Sequence, residues 1–217
     1  MKLHLGCGQR YLEGYVNIDF PISEHTVQQD SVADLHADIL GLRYPVSSVE
    51  EIRLHHVFEH FPRPVACALL ASWYSWLCPG GTLHIEVPDL RRTALVLSSS
   101  FSSFKARAVA ERHLFGSHEA AWAAHLEGYS PRSLRVMLKW FGFKTWRIRR
   151  NSWRGTYNFE LFATKAPAVL SREALAQAAS GYLESFLLDR SPSELSLHDV
   201  WMEGYRRQAE RSWATDA

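Results

Sequence analysis

The sequence lacks the features that mark secreted, membrane-spanning and strongly charged proteins. It has three cysteines, Cys7, Cys67 and Cys78, an odd number without the spacing of a disulfide framework, which indicates a reducing compartment. No apolar run approaches the roughly 20 residues that span a bilayer, and no signal peptide is recognisable before the first apolar segment. The formal net charge of +1 excludes a global field that would recruit nucleic acid or an anionic membrane. We therefore expect a cytoplasmic protein that binds no nucleic acid.

What the sequence does contain is an alternation of short apolar segments with helical apolar faces. The apolar pattern predicts strands at 2–5, 15–19, 32–37, 51–56, 82–87, 144–148 and 158–164. A helix is predicted over 64–77, and a second begins at Ser130-Pro131, a capping hydroxyl followed by proline. The pattern predicts a mostly parallel sheet covered on both faces, whose last two strands are antiparallel neighbours.

After residue 165 the alternation of strand and helix patterns gives way to helical patterns alone. Two amphipathic segments, 173–188 and 195–213, are predicted as helices separated by Ser191-Pro192-Ser193. We therefore predict one domain over residues 1–165 and a helical C-terminal extension over residues 166–217.

A ligand site is predicted where the first two strands end. The first strand ends in Gly6-Cys7-Gly8 and the second ends in Asp19. Ligands of open parallel sheets lie outside the carboxyl ends of the strands, where glycines let them approach the backbone closely. A carboxylate there can accept hydrogen bonds from both hydroxyls of a ribose. A dinucleotide site is disfavoured, because Tyr11 occupies the third glycine position and Asp19 follows too soon.

Several further segments occur in a fixed order: LGCG at 5–8, GYVNID at 14–19, ADI at 37–39, VFEHF at 57–61, LCPGGTL at 77–83, VPDL at 87–90, HLEGY at 125–129 and WFGF at 140–143. In this order and spacing the chain resembles the class I S-adenosylmethionine-dependent methyltransferases. It is most similar to a bacterial subgroup associated with surface-glycan genes. The resemblance covers roughly residues 1–165.

This resemblance implies a Rossmann-like, doubly wound α/β fold, with a mostly parallel seven-stranded sheet and an antiparallel last strand. It also implies S-adenosyl-L-methionine as the cofactor. The implied contacts are the backbone of Gly6, Cys7 and Gly8 with the methionine part, Asp19 with the ribose, Phe20, Asp38 and Ile39 with adenine, and His55 and His56 near the methionyl and methyl end.

Two departures from the family concern the cover of the cofactor. The chain starts at the first strand without preceding helices, and the usual helix after that strand is cut to a loop. Another segment, or a second subunit of a homo-oligomer, is therefore expected to cover the site.

The expected reaction is methyl transfer to a small-molecule or glycan acceptor, and we predict a hydroxyl as the accepting group. A hydroxyl needs a base to take its proton, and histidine does this near neutral pH. His56 ends a predicted strand at the methyl end, and His125 lies in a stretch after the fifth strand that we predict to be irregular and to line the acceptor site. We therefore predict these two histidines as catalytic residues.

Two alternative functions stay open on the sequence alone. The segment 56–60 reads His-x-x-Glu-His, the inverted zincin pattern of metallopeptidases, which needs a helix through both histidines. Pro62 and Pro64 leave little room for that helix, and we expect no metal site. The chain could instead be an inactive scaffold or regulatory subunit, against which the glycine turn, Asp19 and Asp38 argue.

A basic run surrounds the predicted sixth strand and consists of Arg147, Arg149, Arg150 and Arg154. It is either a solvated edge of the sheet or a contact for a phosphate- or nucleotide-bearing substrate.

Overall fold

The computed structural model describes residues 1–27, 30–167 and 170–213. Within them, one sheet is built from seven strands: β1 (Lys2–Leu5), β2 (Val16–Asp19), β3 (Leu35–His36), β4 (Val49–His55), β5 (Leu77–Pro88), β6 (Phe143–Trp153) and β7 (Thr156–Lys165). The strand order is β3-β2-β1-β4-β5-β7-β6. β7 runs antiparallel to both of its neighbours and every other pair is parallel. The predicted sheet and its antiparallel strand are therefore confirmed.

Six α-helices accompany the sheet in the same part of the chain: α1 (Arg63–Trp76), α2 (Leu90–Ser98), α3 (Phe104–Phe115), α4 (Pro131–Trp140), α5 (Arg172–Glu184) and α6 (Pro192–Ser212). α1 connects β4 to β5, and α4 lies in the connection from β5 to β6. Both connections run toward the same edge of the sheet, so right-handed crossovers place the two helices on the same face. Short 3-10 helices occupy 22–24, 39–41, 58–60 and 121–123.

Helix α1 is the centre of the packed side of the sheet. It carries buried residues on all sides, including Trp73 and Trp76, because α5 and α6 pack on it opposite the sheet. Pro64 lies in its first turn, where proline costs no helical hydrogen bond. A Cβ added to Gly204 of α6 would lie 3.4 Å from Pro64, so the two helices approach closely.

The opposite face of the sheet is polar in its centre. Between β1 and β4 the described residues form no α-helix, since the connections are loops and short 3-10 helices. His4, His55 and His84 lie there side by side on β1, β4 and β5, with ring centroids 5.2 and 5.5 Å apart. His84 Nε2 lies 3.0 Å from a carboxylate oxygen of Glu160 on β7.

Several predicted boundaries are corrected by the structure. β3 is a two-residue strand with both residues exposed, instead of spanning 32–37, and β6 and β7 are longer than predicted. Pro79-Gly80-Gly81 lies inside the range of β5, where the pairing with β4 is irregular, and α1 ends before it at Trp76. The stretch after β5 contains α2 and α3, so His113 lies on a helix and not in irregular chain.

The C-terminal helices are joined to the loop after β3. Gln208 Nε2 in α6 donates a hydrogen bond to the Leu40 carbonyl oxygen over 2.8 Å, and Arg43 Nε donates to the Arg211 carbonyl oxygen over 2.7 Å. That loop carries Asp38 and Ile39, so α6 supports one wall of the site described below. No helix in the described part of the chain is long and apolar enough to cross a membrane.

Candidate active site

The loop after β1 has the left-handed backbone that its glycines permit. Gly6 has φ of +65° and Gly8 has φ of +53°. A Cβ on Gly6 would lie 2.2 Å from Cγ2 of Val57, whereas one on Gly8 would meet nothing within 4 Å. The Cys7 amide donates to the Ile18 carbonyl oxygen over 3.0 Å, and its side chain is buried beneath the turn.

Asp19, at the end of β2, holds this turn in place. Its Oδ2 accepts a hydrogen bond from the Gly8 amide over 2.6 Å, and its Oδ1 accepts one from the Phe20 amide over 2.8 Å. A carboxylate has about four acceptor positions, so Asp19 retains capacity for further donors although it is only 7% exposed.

A cavity of about 1050 Å³ opens in front of the turn and the ends of β1, β2 and β4. Eight of the residues predicted to contact the cofactor line it: Gly6, Gly8, Asp19, Phe20, Asp38, Ile39, His55 and His56. Cys7 does not line it, and neither does His125, although the adjacent Leu126 does. The cavity lies beyond the strand ends, as expected for an open parallel sheet, and its lining includes both the residues predicted from the strand ends and those implied by the resemblance.

Asp38 and Ile39 form the wall of the cavity that α6 supports. Asp38 caps the 3-10 helix at 39–41, its Oδ1 accepting from the Leu40 amide over 2.9 Å. Its Oδ2 lies 3.9 Å from an Arg211 guanidinium nitrogen of α6 and remains available to another donor. Ile39 is 8% exposed and presents an apolar surface.

The segment between α3 and α4 covers part of the cavity, a role that the sequence analysis left unassigned. Trp122 lines the cavity, and its Nε1 donates to the Glu24 carbonyl oxygen over 2.9 Å. Glu119 accepts a hydrogen bond from the Thr26 hydroxyl over 2.8 Å, and the His25 ring centroid lies 5.6 Å from that of Trp122. A segment of this chain thus closes over the loop that follows β2.

His56 is held between two carboxylates. Its backbone is left-handed, with φ of 54°, and its Nδ1 lies 3.3 Å from Glu59 Oε1 and its Nε2 3.7 Å from Glu86 Oε1. Burial alone would lower the pKa of His56, but Glu59 and Glu86 outweigh it and raise this pKa to about 10. The imidazole is therefore protonated at neutral pH.

His55 and His125 have the opposite electrostatic character. Burial, followed by the charges of Arg10 and Arg53, lowers the pKa of His55, and burial also lowers the pKa of His125 despite the nearby Glu59 carboxylate. Both rings are therefore neutral at neutral pH.

Glu59 connects His125 with His56. It is buried, its pKa is lowered by His56 against the effect of burial, and neither of its carboxylate oxygens accepts a hydrogen bond among the described residues. His125 Nε2 lies 4.0 Å from its Oε1, and the rings of His60 and His125 are 4.7 Å apart. A cavity of about 10 Å³, the size of one water molecule, adjoins Glu59, His113 and His125.

The cluster of Glu59, His60 and His125 has two chemical interpretations. Their potential ligand atoms lie within 4.8 Å of one another, which is close enough to hold a metal ion. Alternatively, His125 acts as a proton acceptor, and the charged carboxylate of Glu59 stabilises the histidine cation that forms. The helix that the inverted zincin pattern requires is absent, because residues 58–60 form one 3-10 turn and His56 precedes it with positive φ.

The ion pairs of His56 predict a dependence of stability on pH above neutrality. His56 keeps its proton to about pH 10 in the folded protein, whereas an unperturbed histidine loses it near 6.5. Its stabilising contribution is therefore complete below pH 6.5 and is lost as the pH rises through about 10. Urea midpoints of the wild type should fall relative to those of His56→Asn over this range, asparagine being chosen because it tolerates left-handed backbone. Parallel curves for the two proteins would contradict the ion pairs.

Comparison with solved structures identifies the class of fold. The sequence matches no protein-family model and no curated protein. The structure is similar to the 1,6-didemethyltoxoflavin-N1-methyltransferase of Burkholderia thailandensis (13% identity, 76% of this chain and 70% of that chain, TM-score 0.52). It is also similar to S-adenosylmethionine-dependent methyltransferases of Mesorhizobium loti (11%, 76% and 90%, 0.51) and Methanosarcina mazei (15%, 77% and 92%, 0.50). The chain therefore has the fold of the class I S-adenosylmethionine-dependent methyltransferases.

Proposed function

We propose that this protein transfers a methyl group from S-adenosyl-L-methionine to a hydroxyl of a small-molecule or glycan acceptor. The observation that carries the proposal is the cavity itself, which joins a left-handed glycine turn to an acid at the end of β2 and a second acid after β3. The assignment to a glycan-associated subgroup belongs to this proposal, as does a cytoplasmic location.

The residues present fit this cofactor. The open space in front of Gly8 leaves room for the methionine part, the remaining acceptor positions of Asp19 suit the two ribose hydroxyls, and Phe20, Asp38 and Ile39 offer an apolar and hydrogen-bonding wall for adenine. When bound, the cofactor supplies an electrophilic methyl group on a sulfonium. The chain contributes orientation and, through Trp122, exclusion of water.

The two histidines predicted as catalytic take different parts in this proposal. His125 is neutral, and the Glu59 carboxylate 4.0 Å from its Nε2 would stabilise the cation formed when it accepts the hydroxyl proton. His56 is already protonated and both of its ring nitrogens face carboxylates, so it acts as a fixed positive charge at the methyl end of the cavity and as the partner that keeps Glu59 ionised.

The proposal predicts the affinity for the product cofactor. S-adenosylhomocysteine should bind in the micromolar range, which is about 8 kcal/mol, and Asp19→Ala should weaken binding by about 2 kcal/mol because a charged acceptor is removed from two hydroxyls. Glu13→Ala is the matched control, since Glu13 is an exposed acid of the same β1–β2 connection and lies outside the cavity. Calorimetry that finds no binding to the wild type, or tight NADH binding instead, would refute the proposed function.

A further inference from the structure

A third cavity, of about 440 Å³, lies at the carboxyl edge of the sheet and is lined by arginines. They are Arg91, Arg92, Arg132, Arg135 and Arg150. The acid in its lining is Asp89, which follows β5. The net charge of the whole chain is only +1. The positive charge of this cavity is therefore a local feature and does not reflect a surface that is basic throughout.

Three separate elements bring the arginines together. Arg91 and Arg92 lie in the first turn of α2, while Arg132 and Arg135 are three residues apart near the start of α4 and so share one helix face. Arg150 comes from β6, where Ile148 and Arg150 point to the α4 side and also line the cavity. Arginines that merely face solvent at the edge of a sheet would not be expected to converge from the starts of two helices and from a strand.

The basic run recognised in the sequence is thereby divided between two sides of the sheet. Arg149 lies between Ile148 and Arg150 and points to the opposite side, where its Nε is 3.8 Å from a Glu160 oxygen. Arg147 lies over the Phe162 ring. Of the run, Arg150 is the member that lines the cavity.

Most of the positive charge in the cavity is unbalanced. Arg91, Arg132 and Arg135 form no ion pair with any residue that the structure describes. Arg150 Nε lies 3.8 Å from Asp89 Oδ2, and the other oxygen of Asp89 accepts from the Arg92 amide over 3.2 Å. One buried carboxylate therefore shares the lining with five arginines, of which the Arg92 guanidinium also donates to the Asn151 carbonyl oxygen over 3.4 Å, and a concave wall of this kind attracts an anion.

We propose that this cavity binds a phosphate or diphosphate group carried by the methyl acceptor. Each guanidinium presents five N–H donors in a planar fork that matches phosphate oxygens two at a time. A carboxylate ligand has roughly four acceptor positions, fewer than the N–H donors of three unpaired arginines. A phosphate therefore fits this cavity better than a carboxylate does.

The position of the cavity connects it to the proposed chemistry, and this substrate assignment rests on the proposed function. Leu90, adjacent to Asp89, lines the small cavity beside Glu59 and His125. The Arg92 guanidinium lies 4.0 Å above the Tyr157 ring, and the Tyr157 carbonyl oxygen accepts from His113 Nε2 over 3.1 Å. Leu90 and Tyr157 thus lie between the arginines and the histidines, and in this proposal an acceptor held by its phosphate would pass over them to reach His125.

The site can be tested without knowing the acceptor, by titrating pyrophosphate into the protein and measuring binding calorimetrically. The double variant Arg132→Gln/Arg135→Gln should weaken pyrophosphate binding at least tenfold. The matched control Arg112→Gln/Lys139→Gln removes the same charge from exposed positions on α3 and the far end of α4, outside the cavity. It should change the affinity less than twofold. Succinate should bind the wild type at least tenfold more weakly than pyrophosphate.

Equal losses in both double variants would show general electrostatic attraction and overturn the site, as would absence of pyrophosphate binding to the wild type. Succinate binding as tightly as pyrophosphate would overturn the phosphate assignment. S-adenosylhomocysteine binding, measured on the same samples, separates this proposal from the proposed function. Its retention in Arg132→Gln/Arg135→Gln also shows that the variant is folded.

Discussion

Replacing His125 with alanine is expected to lower turnover by about 10²–10⁴-fold while S-adenosylhomocysteine binds as it does to the wild type. A hydroxyl is a poor nucleophile while it keeps its proton, and His125 is the neutral histidine beside the ionised Glu59. It does not line the cofactor cavity, so binding should be spared. Turnover is measured as transfer of a labelled methyl group to an acceptor found in a screen of hydroxyl compounds with and without phosphate.

His118 provides the matched control for this variant. It is an exposed histidine in the same connection between α3 and α4, and His118→Asn keeps a residue that tolerates its positive φ. Its turnover should stay near that of the wild type.

Because burial lowers the pKa of His125, the wild-type turnover should fall only below pH 6.5 as the ring becomes protonated.

Two results would contradict the base role. His125→Ala with normal turnover would leave catalysis to positioning alone, or to a nitrogen acceptor. Stoichiometric metal in the wild type that is lost from His125→Ala would instead make Glu59, His60 and His125 a ligand set. If the wild-type protein binds S-adenosylhomocysteine but methylates no compound in a broad screen, the alternative function as an inactive scaffold or regulatory subunit is favoured.

The parts of the fold that the sequence predicted are those in which burial leaves a local pattern. β1, β2 and β5 alternate or run apolar because they lie on a packed helical layer. α3 leaves no such pattern, with Ala110 as its buried residue, and the pattern of α2 spans only nine residues, with Thr93 as its buried residue. Helices that pack mainly on each other at the edge of a sheet need few apolar residues, so periodicity does not reveal them.

The candidate site divides in the same way. Asp19 could be predicted because strand ends lie at one edge of a parallel sheet, whereas Asp38 is expected only from the resemblance to the methyltransferases. Trp122 could not be predicted, since its contact with Glu24 joins loops 98 residues apart in the sequence. The protonated state of His56 depends on Glu59, three residues away in the sequence, and on Glu86, a carboxylate on β5 that only the sheet register brings near it. The arginine cavity likewise needs α2, α4 and β6 to meet in space.

Gly6→Ala is expected to destabilise the protein by about 3 kcal/mol and to abolish measurable cofactor binding. A side chain at φ of +65° costs about 1–2 kcal/mol, and the new Cβ would lie 2.2 Å from Val57 Cγ2, which adds an overpacking cost of about 1–3 kcal/mol. Gly8→Ala is the matched control because its φ of +53° is similar and its Cβ would meet nothing within 4 Å. It should cost only about 1 kcal/mol by urea denaturation.

The clash can be isolated by removing its other partner. Val57→Ala deletes both methyl groups and leaves the Val57 Cβ 3.4 Å from the new side chain, a tight but tolerable contact. The double variant Gly6→Ala/Val57→Ala should therefore be more stable than the sum of the single changes predicts, by about 1–3 kcal/mol in a double-mutant cycle. The backbone strain at Gly6 would remain, so the double variant should resemble Gly8→Ala/Val57→Ala. Strict additivity in the first cycle would mean that the turn does not pack on Val57 and that this wall of the cofactor cavity is misplaced.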